Sequence, residues 1–226
     1  MILSKNGIET LAEMILNDFR FNTQIYTIFT PIDQLASDYL KLSVRYERIS
    51  DDLSFCGVTA YDDTNLKIFI EGKEEIINIK QNEIILNGEF IRKDKIRQLC
   101  GRRRFTLAHE VAHHILFEME TNENKSNIRK PYSMRTTFDV RQLKTAEDWN
   151  EWQADYLGAA LLMPRDGVDI FMRGMACRNF DSYKQGSKED IEYIIDSFCE
   201  LFHVSKSAAI IRLRNLGYFG NEVCYA

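Results

Sequence analysis

The run His109-Glu110-Val111-Ala112-His113 constrains this chain more than any other feature of its 226 residues. Around it, from Arg104 to Phe117, residues step at about 100° apiece on a helical wheel, which places Phe105, Ala108, Val111, Ala112, Ile115 and Leu116 on one apolar arc. The spacing predicts a helix over 104–117, with His109 and His113 just outside that arc. Two histidines four residues apart face the same way and stand about 6 Å apart along the axis, so both imidazoles can converge on one ion. Glu110 is turned by about 100° from His109, which brings its carboxylate to a water beside the ion rather than to the ion itself. A group so placed suits a general base that takes the water's proton and passes it to a leaving amine. Chance produces the pattern in only about one chain in a hundred of this length. The residues therefore point to metal-dependent hydrolysis.

A hydrolytic zinc site usually takes three protein ligands and keeps a fourth position open. Residues 146–162 predict a second helix, stopped by Pro164 after Leu161-Leu162-Met163. One face of it carries Trp152, Leu157, Ala159 and Ala160, and another presents Glu151 and Asp155, four residues apart. Glu151 completes a ligand set with His109 and His113. Asp155, one turn along, can accept the free ring N–H of His109 and fix its tautomer, a role that metal-binding histidines usually require. Glu147 and Asp148 are competing carboxylates, but they lie on the loop side and lack the paired continuation. The set suits one zinc ion, with manganese as the alternative. His114 falls between the two arcs and is expected to hydrogen-bond locally. A donor for the transition-state oxyanion is also needed, and Tyr132, Arg135, Tyr156 and His203 all stay open as candidates.

The remaining pattern is mixed. Ile8, Leu11, Ala12, Ile15, Leu16 and Phe19 predict an amphipathic helix, and Ile32, Leu35, Ala36, Tyr39 and Leu40 a second one behind Pro31. Cys56–Tyr61 and Leu66–Ile70 flank Asp62-Asp63-Thr64-Asn65 and read as a hairpin, with further short strands at Glu75–Ile79 and Glu83–Leu86. These strands offer a possible edge for an extended substrate, with Glu83–Leu86 as the candidate. Residues 118–146 read as a long polar connection. In the tail, Asp190–Phe202 and a helix from the N-cap Ser205 to Leu216, closed by Gly217, flank a turn. With a net charge of −5 and few basic residues in that tail (Lys206, Arg212, Arg214), the composition argues against direct DNA binding. Arg102-Arg103-Arg104 reads as a solvated helix entrance. No run approaches the roughly 20 apolar residues that span a bilayer, and no secretory leader is evident. Five scattered cysteines, Cys56, Cys100, Cys177, Cys199 and Cys224, fit reduced thiols in a cytoplasm.

At this point the chain resembles the ImmA/IrrE metallopeptidases. The resemblance rests on Arg104-Phe105-Thr106-Leu107-Ala108-His109-Glu110-Val111-Ala112-His113, then Glu151-Trp152-Gln153-Ala154-Asp155 and Ala159-Ala160-Leu161-Leu162-Met163-Pro164. It implies an α+β fold: a small thermolysin-like zincin, or minimal gluzincin, whose short, mainly antiparallel sheet packs on the helix of the two histidines. It implies metal ligands at His109, His113 and Glu151, a base at Glu110, and a helix-turn-helix transcriptional repressor as protein substrate, cleaved to relieve repression after stress or in mobile elements. The expected organisation is a metallopeptidase domain over 1–170, with N-terminal helices in 1–48, a sheet in 55–90 and site helices at 104–117 and 146–162. A helical, helix-turn-helix-like subdomain follows over 171–226. A contrasting reading is a non-catalytic DNA- or partner-binding regulator, or an antitoxin-like protein, with a structural zinc site; that reading would not require Glu110. The oligomeric state stays open.

Overall fold

The computed structural model describes residues 2–120, 131–136, 145–176 and 188–220. The chain opens with helix α1 (Lys5–Thr23), capped by Ser4, whose hydroxyl accepts the Gly7 N–H at 3.1 Å. Its buried stripe of Ile8, Ala12, Leu16 and Phe19 follows the predicted spacing. Helix α2 (Ile32–Gln34) follows Pro31 and widens at once into a π-helical turn over Leu35–Tyr39, closed by Leu40 N–H donating to Leu35 O at 3.0 Å.

Six strands follow in two sheets. β1 (Ser43–Glu47), β2 (Phe55–Ala60), β5 (Glu83–Asn87) and β6 (Tyr132–Thr136) form a mixed sheet in the order β1-β5-β2-β6, while β3 (Thr64–Ile70) and β4 (Lys73–Ile79) form a separate ribbon. β1 runs parallel to β5, and the β2–β5 and β2–β6 pairings are antiparallel. Three sequence expectations change here. Residues 43–47, expected within the N-terminal helices, are a strand. The hairpin expected between Cys56–Tyr61 and Leu66–Ile70 does not form. β2 is buried along nearly its whole length and takes both its ladder partners from β5 and β6, whereas β3 alternates buried and exposed as a one-sided ribbon strand does. The true hairpin turn is Glu71-Gly72, with φ of 50° and 74°, the left-handed pair that a two-residue turn between twisted strands demands. Finally, β5 is hydrogen-bonded on both sides, so Glu83–Leu86 offers no edge to a substrate strand. Among the described residues the edges of the mixed sheet are β1 and β6.

The mixed sheet divides two cores. Ile84 and Leu86 of β5 face the helices, while Val58, Ala60 and Ile85 face Leu66, Ile68, Ile70 and Ile79 of the ribbon. Helix α3 (Ile96–Glu118) lies under the first face. It starts eight residues before the predicted helix and is buried all round from Thr106 to Ile115, because helix α4 (Ala146–Leu162) packs on its other side. A capping box starts α4: Thr145 Oγ1 accepts the Asp148 N–H at 3.1 Å, and the Asp148 carboxylate accepts the Thr145 N–H at 2.8 Å. The three arginines ahead of the histidine run are not solvated as expected. Arg102 reaches Leu53 O at 3.3 Å, Arg103 makes a bidentate pair with Asp33 at 2.7 and 2.8 Å, and buried Arg104 donates to Thr30 O at 2.9 Å. They staple the N-terminal segment and the start of the sheet to α3.

Helices α5 (Arg165–Ala176), α6 (Lys188–Phe202) and α7 (Lys206–Asn215) complete the description. Ser205 caps α7 as expected, accepting from the Ala208 N–H at 3.3 Å, and Gly217 has φ 81° past its end. Phe171, Phe198, Phe202 and Leu213 join the same core as Leu16, Leu107 and Leu161. Arg212 is buried among them. Its guanidinium holds the Glu9 carboxylate through Nη1 and Nη2, the latter at 3.0 Å, and its Nε donates to Met163 O at 2.9 Å. Lys206 is tied to Asp196 at 2.6 Å. Cys56, Cys100 and Cys199 are free thiols, and Cys177 and Cys224 lie outside the described residues. Among the described residues no helix is long and apolar enough to cross a membrane.

The Glu9–Arg212 pair joins the two ends of the chain, and its loss has a sign that can be worked out. Burial works most strongly against ionisation of Glu9, but the bond and charge of Arg212, helped by Arg165 and Tyr156, together outweigh it and hold the carboxyl below its ordinary value of 4.5. A depressed folded value means that the pair's stabilisation is complete above pH 4.5 and is lost as pH falls through the folded value. Arg212→Ala leaves a buried carboxylate without its cation and is expected to cost about 3–5 kcal/mol in urea unfolding at pH 7, while Glu9→Leu/Arg212→Met recovers most of that loss.

Candidate metal centre

α3 and α4 cross at Gly158. A Cβ placed there would lie 3.1 Å from the backbone of Ala108 and His109, atoms of a buried helix with no room to retreat. Glu151, Asp155 and Gly158 are spaced i, i+4, i+7 and so share one face of α4. The glycine that permits the crossing thus turns both carboxylates toward the histidines.

The ligand-type atoms are drawn together. His109 Nε2 lies 2.9 Å from His113 Nε2, and Glu151 places Oε1 3.2 Å from His113 Nε2 and Oε2 3.5 Å from His109 Nε2. The atoms offered by His109, His113 and Glu151 lie within 4.8 Å of one another, and all three residues are buried. This group could hold a metal ion. Asp155 Oδ1 lies 2.8 Å from His109 Nδ1. With Asp155 as acceptor the proton sits on Nδ1, leaving the Nε2 lone pair of His109 directed at the group. Burial disfavours a charged Glu151, yet the imidazoles of His109 and His113 overcome that and hold its carboxyl far below the usual carboxylate range.

β2 and β6 roof this group. Thr59 and Ser133 are paired across the two strands, so their side chains leave the sheet on the same face, toward α3. Ser133 Oγ lies 3.0 Å from His113 Nε2 and donates to Glu151 Oε1 at 3.3 Å. Thr59 Oγ1 donates to Glu110 Oε2 at 2.6 Å, with Glu110 O also at 3.0 Å. Glu110 is fully buried, and its carboxylate lies under the same roof, held by Thr59 where the paired Ser133 meets His113 and Glu151. Tyr61 stacks on Phe117 with centroids 4.2 Å apart. Burial and then the charge of Glu110 push its phenol above the ordinary value.

The residues singled out from sequence sort clearly. His109, His113 and Glu151 converge, Asp155 stands behind His109, and Glu110 is adjacent. Asp148 is used as a helix cap and Glu147 is exposed, so neither joins the group. His114 is buried and lies outside the three-residue group. Of the four oxyanion candidates, Tyr132 packs into the ribbon-side core. Tyr156 faces the Glu9–Arg212 pair, its phenol pushed up to about 12 by burial and by Glu9. His203 sits in the α6–α7 turn against Phe29, with ring centroids 5.2 Å apart. The side chain of Arg135 lies outside the described residues. Thr59, Gly57, Tyr61 and Ser133 were not foreseen. A glycine and a threonine two apart in an apolar strand were the available signal, since neither adds to the apolar face of β2.

The sequence profile of the IrrE N-terminal-like domain matches residues 100–214, just over half of the chain. The chain belongs to this peptidase family. The matched stretch of the IrrE N-terminal-like domain runs from within α3 almost to the end of α7, so it contains both site helices and the helix-turn-helix-like pair. The α+β architecture, with a small mixed sheet on the histidine helix, is that of a small zincin. A search of curated proteins finds no match.

Gly158→Val tests the crossing. The added branched side chain meets backbone at 3.1 Å and is expected to destabilise by about 1–3 kcal/mol or more. Because the same helix carries Glu151, divalent-ion affinity should fall with it. Urea unfolding and ion titration on one preparation read both effects; a stable variant with unchanged affinity would refute the account of the crossing.

Proposed function

We propose that the chain is a cytoplasmic, zinc-dependent, site-specific endopeptidase whose substrate is a helix-turn-helix transcriptional repressor. The observation that carries the reading is the convergence of His109, His113 and Glu151 beside a buried Glu110, in a chain of a metallopeptidase family. Two imidazoles and one carboxylate are the donor set of hydrolytic zinc sites, and they leave a position for the reacting groups. Manganese would be accepted by the same atoms. His109, His113 and Glu151 would hold the ion, which when bound supplies Lewis-acid polarisation of the scissile carbonyl and of water.

The protein's own groups do the rest. Asp155 keeps the His109 proton on Nδ1 and orients the ring. Glu110 takes a proton from the attacking water as the carbon–oxygen bond forms, then gives it to the amine nitrogen as the carbon–nitrogen bond breaks, returning to carboxylate. Support for a repressor as substrate comes from the likeness to the ImmA/IrrE metallopeptidases, in which such cleavage relieves repression after stress or in mobile elements. A DNA-binding role for the tail draws less support: Arg212 is engaged with Glu9 and Lys206 with Asp196, which leaves few cations to meet phosphates.

Three measurements test this. Purified protein incubated with helix-turn-helix repressors from the same genome should cut one of them at one bond, and a chelator should stop the reaction. Glu110→Gln should keep its ion and its fold while kcat falls by about 10²–10⁴-fold; full activity in that variant would sink the peptidase reading. Asp155→Asn should weaken ion affinity by about 10–100-fold, read by competition with a chromogenic chelator.

A further inference from the structure

The face of β2 that looks toward α3 carries a feature the reaction as described leaves unused. Gly57 and Thr59 alternate on that face, and both touch Glu110. Thr59 Oγ1 donates to Oε2 at 2.6 Å. At Gly57 a Cβ would lie 2.8 Å from Oε1, 2.9 Å from Cγ of the same side chain and 2.9 Å from Thr106 Cγ2. Both carboxylate oxygens are therefore set by this strand: one by a bond, the other by the space a missing side chain leaves. Thr59 itself is fully buried and cannot swing away to water.

Resting on the peptidase reading above, we infer that Thr59 is a positioning residue for the general base, with Gly57 providing the room that its carboxylate occupies. A glutamate side chain has three rotatable bonds, and catalysis depends on holding it within hydrogen-bond reach of the proton it moves. A threonine on a strand bonded on both sides is a rigid anchor for that purpose. The hydroxyl has one proton and two acceptors on Glu110, and the short bond goes to the carboxylate. Thr59 touches none of the reacting atoms; it acts through Glu110.

The test has two arms. In the ion-free protein, Thr59→Val, Glu110→Ala and the double variant form a thermal-unfolding cycle, and the Tm losses of the single variants are expected to exceed that of the double when summed. In the ion-loaded protein, with a helix-turn-helix repressor that the wild-type protein cleaves as substrate, Thr59→Val should lower kcat about tenfold or more, the worth of a bond to a charged group. KM and bound ion should be unchanged, and Thr59→Ser should return kcat to within about twofold of wild type. If Thr59→Val folds poorly, Gly57→Ala keeps the hydroxyl but crowds the carboxylate, and should reduce kcat in the same way. Additive Tm losses, wild-type kcat in Thr59→Val and Gly57→Ala, or failure of serine to rescue would each overturn the inference. Absence of any cleavage by the wild-type protein is a different failure: it removes the peptidase reading, while a coupled thermal cycle would still establish the bond.

Discussion

The contact between Gly158 and the backbone of Ala108 and His109 is the constraint on which the rest depends. Helices with side chains between them ordinarily sit 8–10 Å apart, and a glycine at the crossing lets this pair come closer. Closeness is what the chemistry needs: a glutamate and an aspartate must reach two histidines on the other helix with short side chains. The consequence spreads outward. A helix approached so tightly on one side and covered by a sheet on the other has no solvent face through its middle. That explains why α3 buries His109, Glu110 and His113 together with its leucine and alanines.

Burying so many polar groups calls for partners, and the structure supplies many of them in pairs. Asp155 serves His109, Ser133 serves His113 and Glu151, and Thr59 serves Glu110. The same logic applies away from the site. Arg104 reaches Thr30 O, and Arg212 is held by Glu9 and Met163 O. An acidic chain thus spends several of its cations inside, joining α1 and the N-terminal segment to α3, α4 and α7. These internal ion pairs fix geometry more than they add stability, because desolvation offsets much of their attraction.

How much of this could be read from the sequence depended on range. Features set by neighbours along the chain were legible: the buried stripe of α1, the Ser205 cap, the stop at Pro164, and the two i, i+4 pairs His109/His113 and Glu151/Asp155. Features set by partners far along the chain were not. The turn residues Asp62-Asp63-Thr64-Asn65 marked a change of direction correctly, but only the burial of β2 on both faces decides that the next strand leaves for another sheet. β1 and β6 are five-residue strands whose pairing comes from β5 and β2, and neither has an apolar run to announce it. The arginines at 102–104 read as solvated because a charge run carries no sign of the carbonyls and carboxylate that wait for it.

The site shows the same division more sharply. Its candidate ligand atoms come from two helices and repeat at helical spacing within each, so periodicity and residue type made them legible. Its roof comes from strands 51 and 20 residues away from the groups they touch, and period-two patterning says only which face of a strand is buried. What selects Thr59 and Ser133 is their register: opposite one another on β2 and β6, they meet Glu110 on one side and His113 with Glu151 on the other. A slip of β2 by one residue would send the Thr59 hydroxyl into the ribbon-side core and bring Val58 over the site. The apolar packing of Val58, Ala60 and Ile85 against the ribbon therefore does more than stabilise the sheet. By forbidding that slip it determines which polar groups stand over the candidate base, and so links a hydrophobic pattern remote from the chemistry to the placement of a single carboxylate.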